Sequence, residues 1–275
     1  MKKKLLSAFG LKFYPFGRDL PMEALFRSAA IDAFCRKVEF TVPDGGFALV
    51  AGDPGTGKSV ALRLLSAHLS EMRDVTVATV EHPQSNVGDF YRELGDLFNV
   101  GLRASNRWGG FKSLRSRWTE HIGSTLTRPV LIIDEAQEMD SRVLGELRIL
   151  SSKEFDARSL LCVIFAGDRR LLDRLDQREL QPIQSRIRRR LLLEEAPRDE
   201  MLACLEHLVD AAGNPNLITT DAKVAIAEHS AGNYRSMMTH CDELFAAMLD
   251  RDANAIDGDL FFDHYKPKAP QRRKR

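Results

Sequence analysis

Gly52-Asp53-Pro54-Gly55-Thr56-Gly57-Lys58-Ser59 is the stretch that decides how the rest of the chain is read. It satisfies G-x-x-x-x-G-K-[S/T] in full, and its flanks fit as well. The unbroken apolar run Phe47-Ala48-Leu49-Val50-Ala51 precedes it, and a helical pattern from Lys58 to about Leu69 follows. Glycines allow backbone angles that turn successive N–H groups inward, making a concave anion site. The helix behind the loop adds the positive end of its dipole. In this arrangement Lys58 reaches the β and γ phosphates and the Ser59 hydroxyl ligates magnesium. The expected ligand is therefore ATP with Mg2+, held by Gly52, Asp53, Pro54, Gly55, Thr56, Gly57, Lys58, Ser59 and Val60.

A second motif supplies acids. Val130-Leu-Ile-Ile133 is an apolar β-forming run that ends in Asp134-Glu135, at the strand end where open α/β sheets bind ligands. Asp134 suits magnesium, and Glu135 suits orienting and deprotonating an attacking water. ATP hydrolysis is the expected chemistry.

Further buried strands are expected at Val75–Val80, Leu160–Ala166 and Leu191–Leu193, with helical sequence between them. Short apolar strands alternating with helices imply a five-stranded parallel sheet with flanking helices. A helix is expected over Met22–Lys37, ahead of the turn signal Pro43-Asp44-Gly45-Gly46. After Pro197 strand signals stop, and helices are expected at about 198–212, 219–230, 234–250 and 257–264. Four segments follow: an N-terminal arm and helix over 1–45, a nucleotide-binding core over 46–197, a small all-helical domain over 198–264 and a basic tail over 265–275. Ala196-Pro197-Arg198 is the hinge candidate.

Composition narrows the class. The 275 residues are 44% hydrophobic and 29% charged, the balance of a globular chain. No stretch reaches the ~20 apolar residues needed to span a bilayer. Met1-Lys-Lys-Lys-Leu-Leu6 has no signal-peptide-length apolar run behind it. The cysteines at 35, 162, 204 and 241 lack disulfide or zinc spacing, so a reducing, cytoplasmic setting is expected. The net charge of +1 conceals an uneven distribution. Lys266, Lys268, Arg272, Arg273, Lys274, Arg275 and Lys2–Lys4 are nine of the 40 basic residues; the other 31 face 39 acids, leaving the body near −8. Basic ends on an acidic body suit either contact with a polyanion or simple solubilisation.

With both motifs placed, the chain resembles the AAA+ ATPases, a P-loop NTPase fold with a helical lid. The resemblance implies several residue roles. Ala231-Gly232-Asn233-Tyr234-Arg235 is similar to the second sensor motif, which assigns Arg235 to the γ phosphate. Val163-Ile-Phe-Ala-Gly167-Asp168 puts an aspartate where the first sensor is usually an uncharged polar residue; Asp168 is expected in the catalytic set, orienting water less directly. Gln184-Ser185-Arg186-Ile187 is similar to the Ser-Arg finger motif of clamp-loader-like relatives, which assigns Arg186 to a neighbouring subunit; Arg178, Arg188, Arg189 and Arg190 compete for that role. A finger acting in trans implies a homo-oligomeric ring or filament. Gly10-Leu-Lys-Phe-Tyr-Pro15-Phe16, Ile132-Ile-Asp-Glu-Ala-Gln137 and Phe165-Ala-Gly-Asp-Arg-Arg-Leu171 extend the likeness to the ExeA-like group and the transposition helper ATPases (MuB-like, IstB-like, TnsC-like). There Pro15 and Phe16 would flank the adenine; a packed N-terminal arm is the other reading.

Secretion ATPases of the ExeA type add membrane and cell-wall-binding segments that this sequence does not show. The leading expectation is accordingly a transposition helper that assembles with ATP on double-stranded DNA, without marked sequence preference, and recruits a transposase. An envelope ATPase and a nucleotide switch docking a protein client are the alternatives. Arg103, Arg107, Lys112, Arg115 and Arg117 are the candidate DNA contacts; with Trp108 and Trp118 they fill a stretch free of acids. Leu114 and Trp118 are expected to anchor that helix, whose other reading is a solvated surface helix with core-facing tryptophans.

Overall fold

The structure, a computed structural model, describes residues 6–81, 83, 86–101, 107–155 and 157–266. Strands β1 (Gly46–Gly52), β2 (Val75–Val80), β3 (Arg128–Ile133), β4 (Cys162–Gly167) and β5 (Ile187–Leu193) form one parallel sheet in the order β2-β3-β4-β1-β5. The three inner strands are the continuous apolar runs, because helices cover both of their faces. The edge strands differ. In β5, Ile187 and Leu191 are buried while Arg188, Arg190 and Leu192 are exposed. This one-sided pattern is why the expected strand at Leu191–Leu193 begins four residues earlier in the structure.

Helices α1 (Ala29–Glu39), α2 (Lys58–Ser70), α3 (Val87–Leu97), α4 (Arg107–Ser124), α5 (Ser141–Ser151), α6 (Arg169–Leu175) and α7 (Gln181–Gln184) accompany the sheet. The expected helix over Met22–Lys37 is shorter and later. Met22–Ala24 is only a 3-10 turn, Leu25 and Ser28 are extended, and α1 starts where Ser28 Oγ accepts from the Ile31 N–H at 3.4 Å. A hairpin pairing Ser152–Lys153 with Arg158–Ser159 was not expected from the sequence. Phe47 and Phe165 stack on neighbouring strands with ring centres 5.7 Å apart, and Phe98 packs edge-on to Trp118 at 5.3 Å. Burying each such ring stabilises the fold by about 1.5–3 kcal/mol relative to exposure.

The chain divides into two units, Arg27–Glu194 and a second made of residues up to Phe26 together with Glu195 onward. The N-terminal segment expected as one arm is thus split: α1 belongs with the sheet and the stretch before it with the C-terminal helices. Those are α8 (Arg198–Ala212), α9 (Thr220–His229), α10 (Tyr234–Asp250) and α11 (Gly258–Tyr265), close to the expected spans. The arm is held by the Lys12 N–H to the Ala212 carbonyl (2.8 Å), by Asn214 Nδ2 to the Phe9 carbonyl (2.9 Å) and by Phe9, Tyr14 and Phe16 around the Phe245 ring. Among the described residues, no helix is long and apolar enough to cross a membrane.

Candidate active site

Sheet register assembles the site. Ala51 of β1 pairs with Gly167 of β4, and Ile133 of β3 pairs with Phe165 of the same strand. The residues that follow each strand, Gly52–Ser59, Asp134–Glu135 and Asp168, therefore converge at the C-terminal edge. Gly55 (φ 91°) and Gly57 (φ 101°) hold the left-handed angles that fold the loop. Gly52 serves a different need. A Cβ there would lie 2.4 Å from the Leu193 carbonyl oxygen and 2.7 Å from Thr56 Oγ1, so only glycine lets the loop pass under β5. Thr56, buried, donates to the Asp53 carbonyl at 2.8 Å. The Lys58 ammonium lies back over the loop, donating to the carbonyls of Gly52 (2.8 Å) and Asp53 (3.1 Å). Ser59 sits exposed in the first turn of α2.

The acids are held asymmetrically. Burial pushes the Asp134 carboxyl above the usual range, and the charges of Glu135 and Glu81 add to this; the Glu135 N–H, donating at 2.9 Å, and the Lys58 charge oppose it. A desolvated carboxylate of this kind gains from a cation beside it. Glu135 has left-handed backbone angles (φ 50°, ψ 37°), and its carboxylate accepts from Gln137 Nε2. Asp168 is a helix cap. Its carboxylate accepts from the Arg170 N–H (2.9 Å) and Arg170 Nε (2.8 Å), and Arg170 reaches Glu138 at 2.9 Å. Burial acts to raise the Asp168 carboxyl, but Arg170 and the Lys58 charge hold it below the usual range.

The remaining expected residues belong to other elements. Arg186 precedes β5, at the N-terminal edge of the sheet, a strand length of ~20 Å from the loop of its own chain. In the second unit, Arg235 is exposed in the first turn of α10, whose cap Asn233 accepts from the Ser236 N–H at 3.1 Å. The turn before it needs glycine: a Cβ on Gly232 (φ 77°) would lie 2.7 Å from the Ala196 carbonyl oxygen. Pro15 and Phe16 are buried in that unit, the Phe16 ring against Tyr14 and Phe245, so the structure gives both a packing role there.

The candidate DNA helix also sorts itself. Arg103 lies outside the described residues. Leu114 and Trp118 are buried as expected, whereas Trp108 is 63% exposed, stacked on Phe111 with Lys112 over its ring at 5.0 Å. Arg107 pairs with the buried Glu146, which also accepts from Tyr91 Oη at 2.7 Å. Arg115 donates to the carbonyls of Ile149 (3.0 Å), Leu150 (3.1 Å) and Ser152, closing the C-terminus of α5. Two of the five cations are thus spent on internal partners, leaving Lys112 and Arg117 exposed on α4. Arg115→Ala is expected to lower stability of the sheet unit by about 1–3 kcal/mol, seen as a lower unfolding midpoint with ATP affinity unchanged.

Sequence reasoning assigned no role to three side chains at the site. Gln137 joins Glu135 to β4; Arg169 holds Asp53 of the loop at 2.9 Å; Arg174 donates to the Gln137 carbonyl and to Ser141 Oγ (3.3 Å). The Asp168 end of Gln137 and the partners of Arg169 and Arg174 are remote in sequence, so no local pattern marks them.

Comparison with known proteins agrees with this geometry. Residues 43–175 match the family described as AAA domain. The General secretion pathway protein A of Aeromonas hydrophila is 27% identical over 264 residues, covering 94% of this chain but 47% of that protein; the chain thus spans about half the length of this curated relative. Among solved structures, Cdc6p of Pyrobaculum aerophilum superposes with a TM-score of 0.67 at 15% identity, over 88% of this chain and 67% of that one. Drosophila ORC bound to DNA gives 0.67 at 15% identity, over 92% of this chain and 63% of that one. These likenesses establish the fold. With the phosphate loop and the acidic pair on one sheet edge, residues 43–175 carry the P-loop AAA+ fold and the apparatus of ATP hydrolysis.

Proposed function

We propose that this chain is an ATP-driven assembly factor that binds double-stranded DNA and serves a transposase as its helper. The observation that carries the ATP-driven part is the convergence of Lys58, Asp134 and Glu135 at one sheet edge. The loop glycines leave a cradle free of side chains, and its donors are those a triphosphate requires. In the proposed reaction the loop N–H groups and Lys58 bind the β and γ phosphates, while Glu135 orients the attacking water and accepts its proton. Magnesium would be held by Ser59 and Asp134, and when bound it supplies neutralisation of phosphate charge. Arg235 is proposed to contact the γ phosphate. Arg186, too far from its own loop, is proposed to serve a neighbouring copy, so the working form is a ring or filament.

Support for DNA comes from charge: nine cations at the chain ends on an acidic body, and Lys112 and Arg117 exposed on α4. A structural neighbour solved on DNA has the same fold. A second reading, an ATPase of a secretion or envelope complex without a DNA role, is favoured by the 27% identity to the secretion protein over most of this chain. Sedimentation on plasmid DNA with a slowly hydrolysed ATP analogue, at low and moderate salt, separates them. ATP-dependent, sequence-tolerant co-sedimentation is expected. No effect of DNA on assembly or turnover would remove the helper reading and leave the second. Where DNA is bound, Arg117→Ala should lower the slope of log K against log salt by about 1 without changing stability.

A further inference from the structure

Gln137 is 5% exposed, yet both ends of its carboxamide are used. Nε2 donates to Glu135 Oε2, and Oε1 accepts from the Asp168 N–H at 3.3 Å. Its orientation follows from chemistry, since an ionised carboxylate can only accept and a backbone N–H can only donate; a flipped amide would lose both bonds. The room for it is built in. A Cβ on Gly167 would lie 2.3 Å from Gln137 Oε1, so glycine at the end of β4 is what admits the carboxamide. Arg174, donating to the Gln137 carbonyl, braces the 3-10 turn Ala136–Glu138 that carries it. Glu135 needs such support, because a non-glycine residue in the left-handed region keeps its conformation only when its surroundings determine it.

We infer that Gln137 is the positioning residue for Glu135, fixing its carboxylate to the backbone at the end of β4. A free carboxylate on a left-handed residue samples several rotamers; one tied through Gln137 to the backbone N–H that follows a neighbouring strand holds one. The inference rests on Glu135 acting as the base in ATP hydrolysis. It concerns turnover, because among the described residues the hydrogen bonds given to Gln137 run to Glu135, Asp168 and Arg174, not to Gly52–Ser59, where the phosphates are proposed to bind.

The test is steady-state ATP turnover of the full chain, with nucleotide affinity and melting temperature measured in parallel. Gln137→Met keeps length and volume but loses both bonds; kcat should fall about 10- to 100-fold, the loss typical of a misplaced catalytic group, with KM and ATP affinity within about twofold. Gln137→Glu keeps the acceptor toward Asp168 and sets a second carboxylate against Glu135; it should lose kcat likewise, and it serves if the methionine variant does not fold. In a Glu135→Gln background, Gln137→Met should add almost nothing, since both changes disable one unit. Wild-type kcat in a folded Gln137 variant, or loss of ATP affinity in step with kcat, would overturn the inference. If Glu135→Gln itself turns over normally, the assignment of the base has failed, and the inference with it.

Discussion

Lys58→Ala should reduce ATP affinity by about 30- to 3,000-fold while the protein stays folded. The ammonium now bonded to the Gly52 and Asp53 carbonyls is the one cation of the loop, and the chemistry assigned to it is neutralising two phosphates. A charge-assisted contact of this kind, removed so that an anion is left short of a partner, typically costs about 2–5 kcal/mol, and 1.4 kcal/mol is a factor of ten. The fold should tolerate the change, because Lys58 is not part of the apolar core and α2 is anchored by Ala61, Leu62, Leu64, Leu65 and Leu69. Polarisation of a fluorescent ATP analogue reads the affinity, and circular dichroism confirms the fold. Unchanged affinity would show that the loop does not hold the triphosphate.

Glu135→Gln should separate binding from chemistry. The substitution keeps the side chain's size at the end of β3 but removes the carboxylate proposed to take the water proton. Turnover should fall about 10²- to 10⁴-fold, the usual contribution of a positioned general base, with ATP bound as in the unchanged protein. If assembly needs bound ATP and disassembly needs hydrolysis, this variant also accumulates as the assembled form, visible as a persistent large species in light scattering. Undiminished phosphate release would move the base to another residue.

What could be read from residues alone follows from the range of the interactions involved. The phosphate loop and the acidic pair are local: each motif, with the strand beside it, fits in fourteen residues or fewer. The inner strands were equally plain, because burial on both faces writes an uninterrupted apolar run such as Val130–Ile133. The edge strand β5 was only half visible, since its outward positions carry Arg188 and Arg190. The contacts between remote parts of the chain were not visible at all. Gln137 acquires its partner at Asp168 only because β3 and β4 are neighbours, and Arg115 finds the end of α5 more than thirty residues away. For the same reason Arg107 and Arg115 looked like surface cations in a stretch without acids, when the acid that pairs with Arg107, Glu146, lies on another helix. Asp168 shows the same limit in a milder form. Its position beside the first-sensor strand suggested chemistry, and the N–H and Nε of Arg170 make it a helix cap.

Isothermal titration of magnesium and ATP into the purified, folded chain addresses the central claim most directly. One saturable site per chain, abolished by Lys58→Ala and preserved by Glu135→Gln, is the predicted result. A folded protein that gives no binding heat with either ATP or GTP, across a range of temperatures, would contradict it.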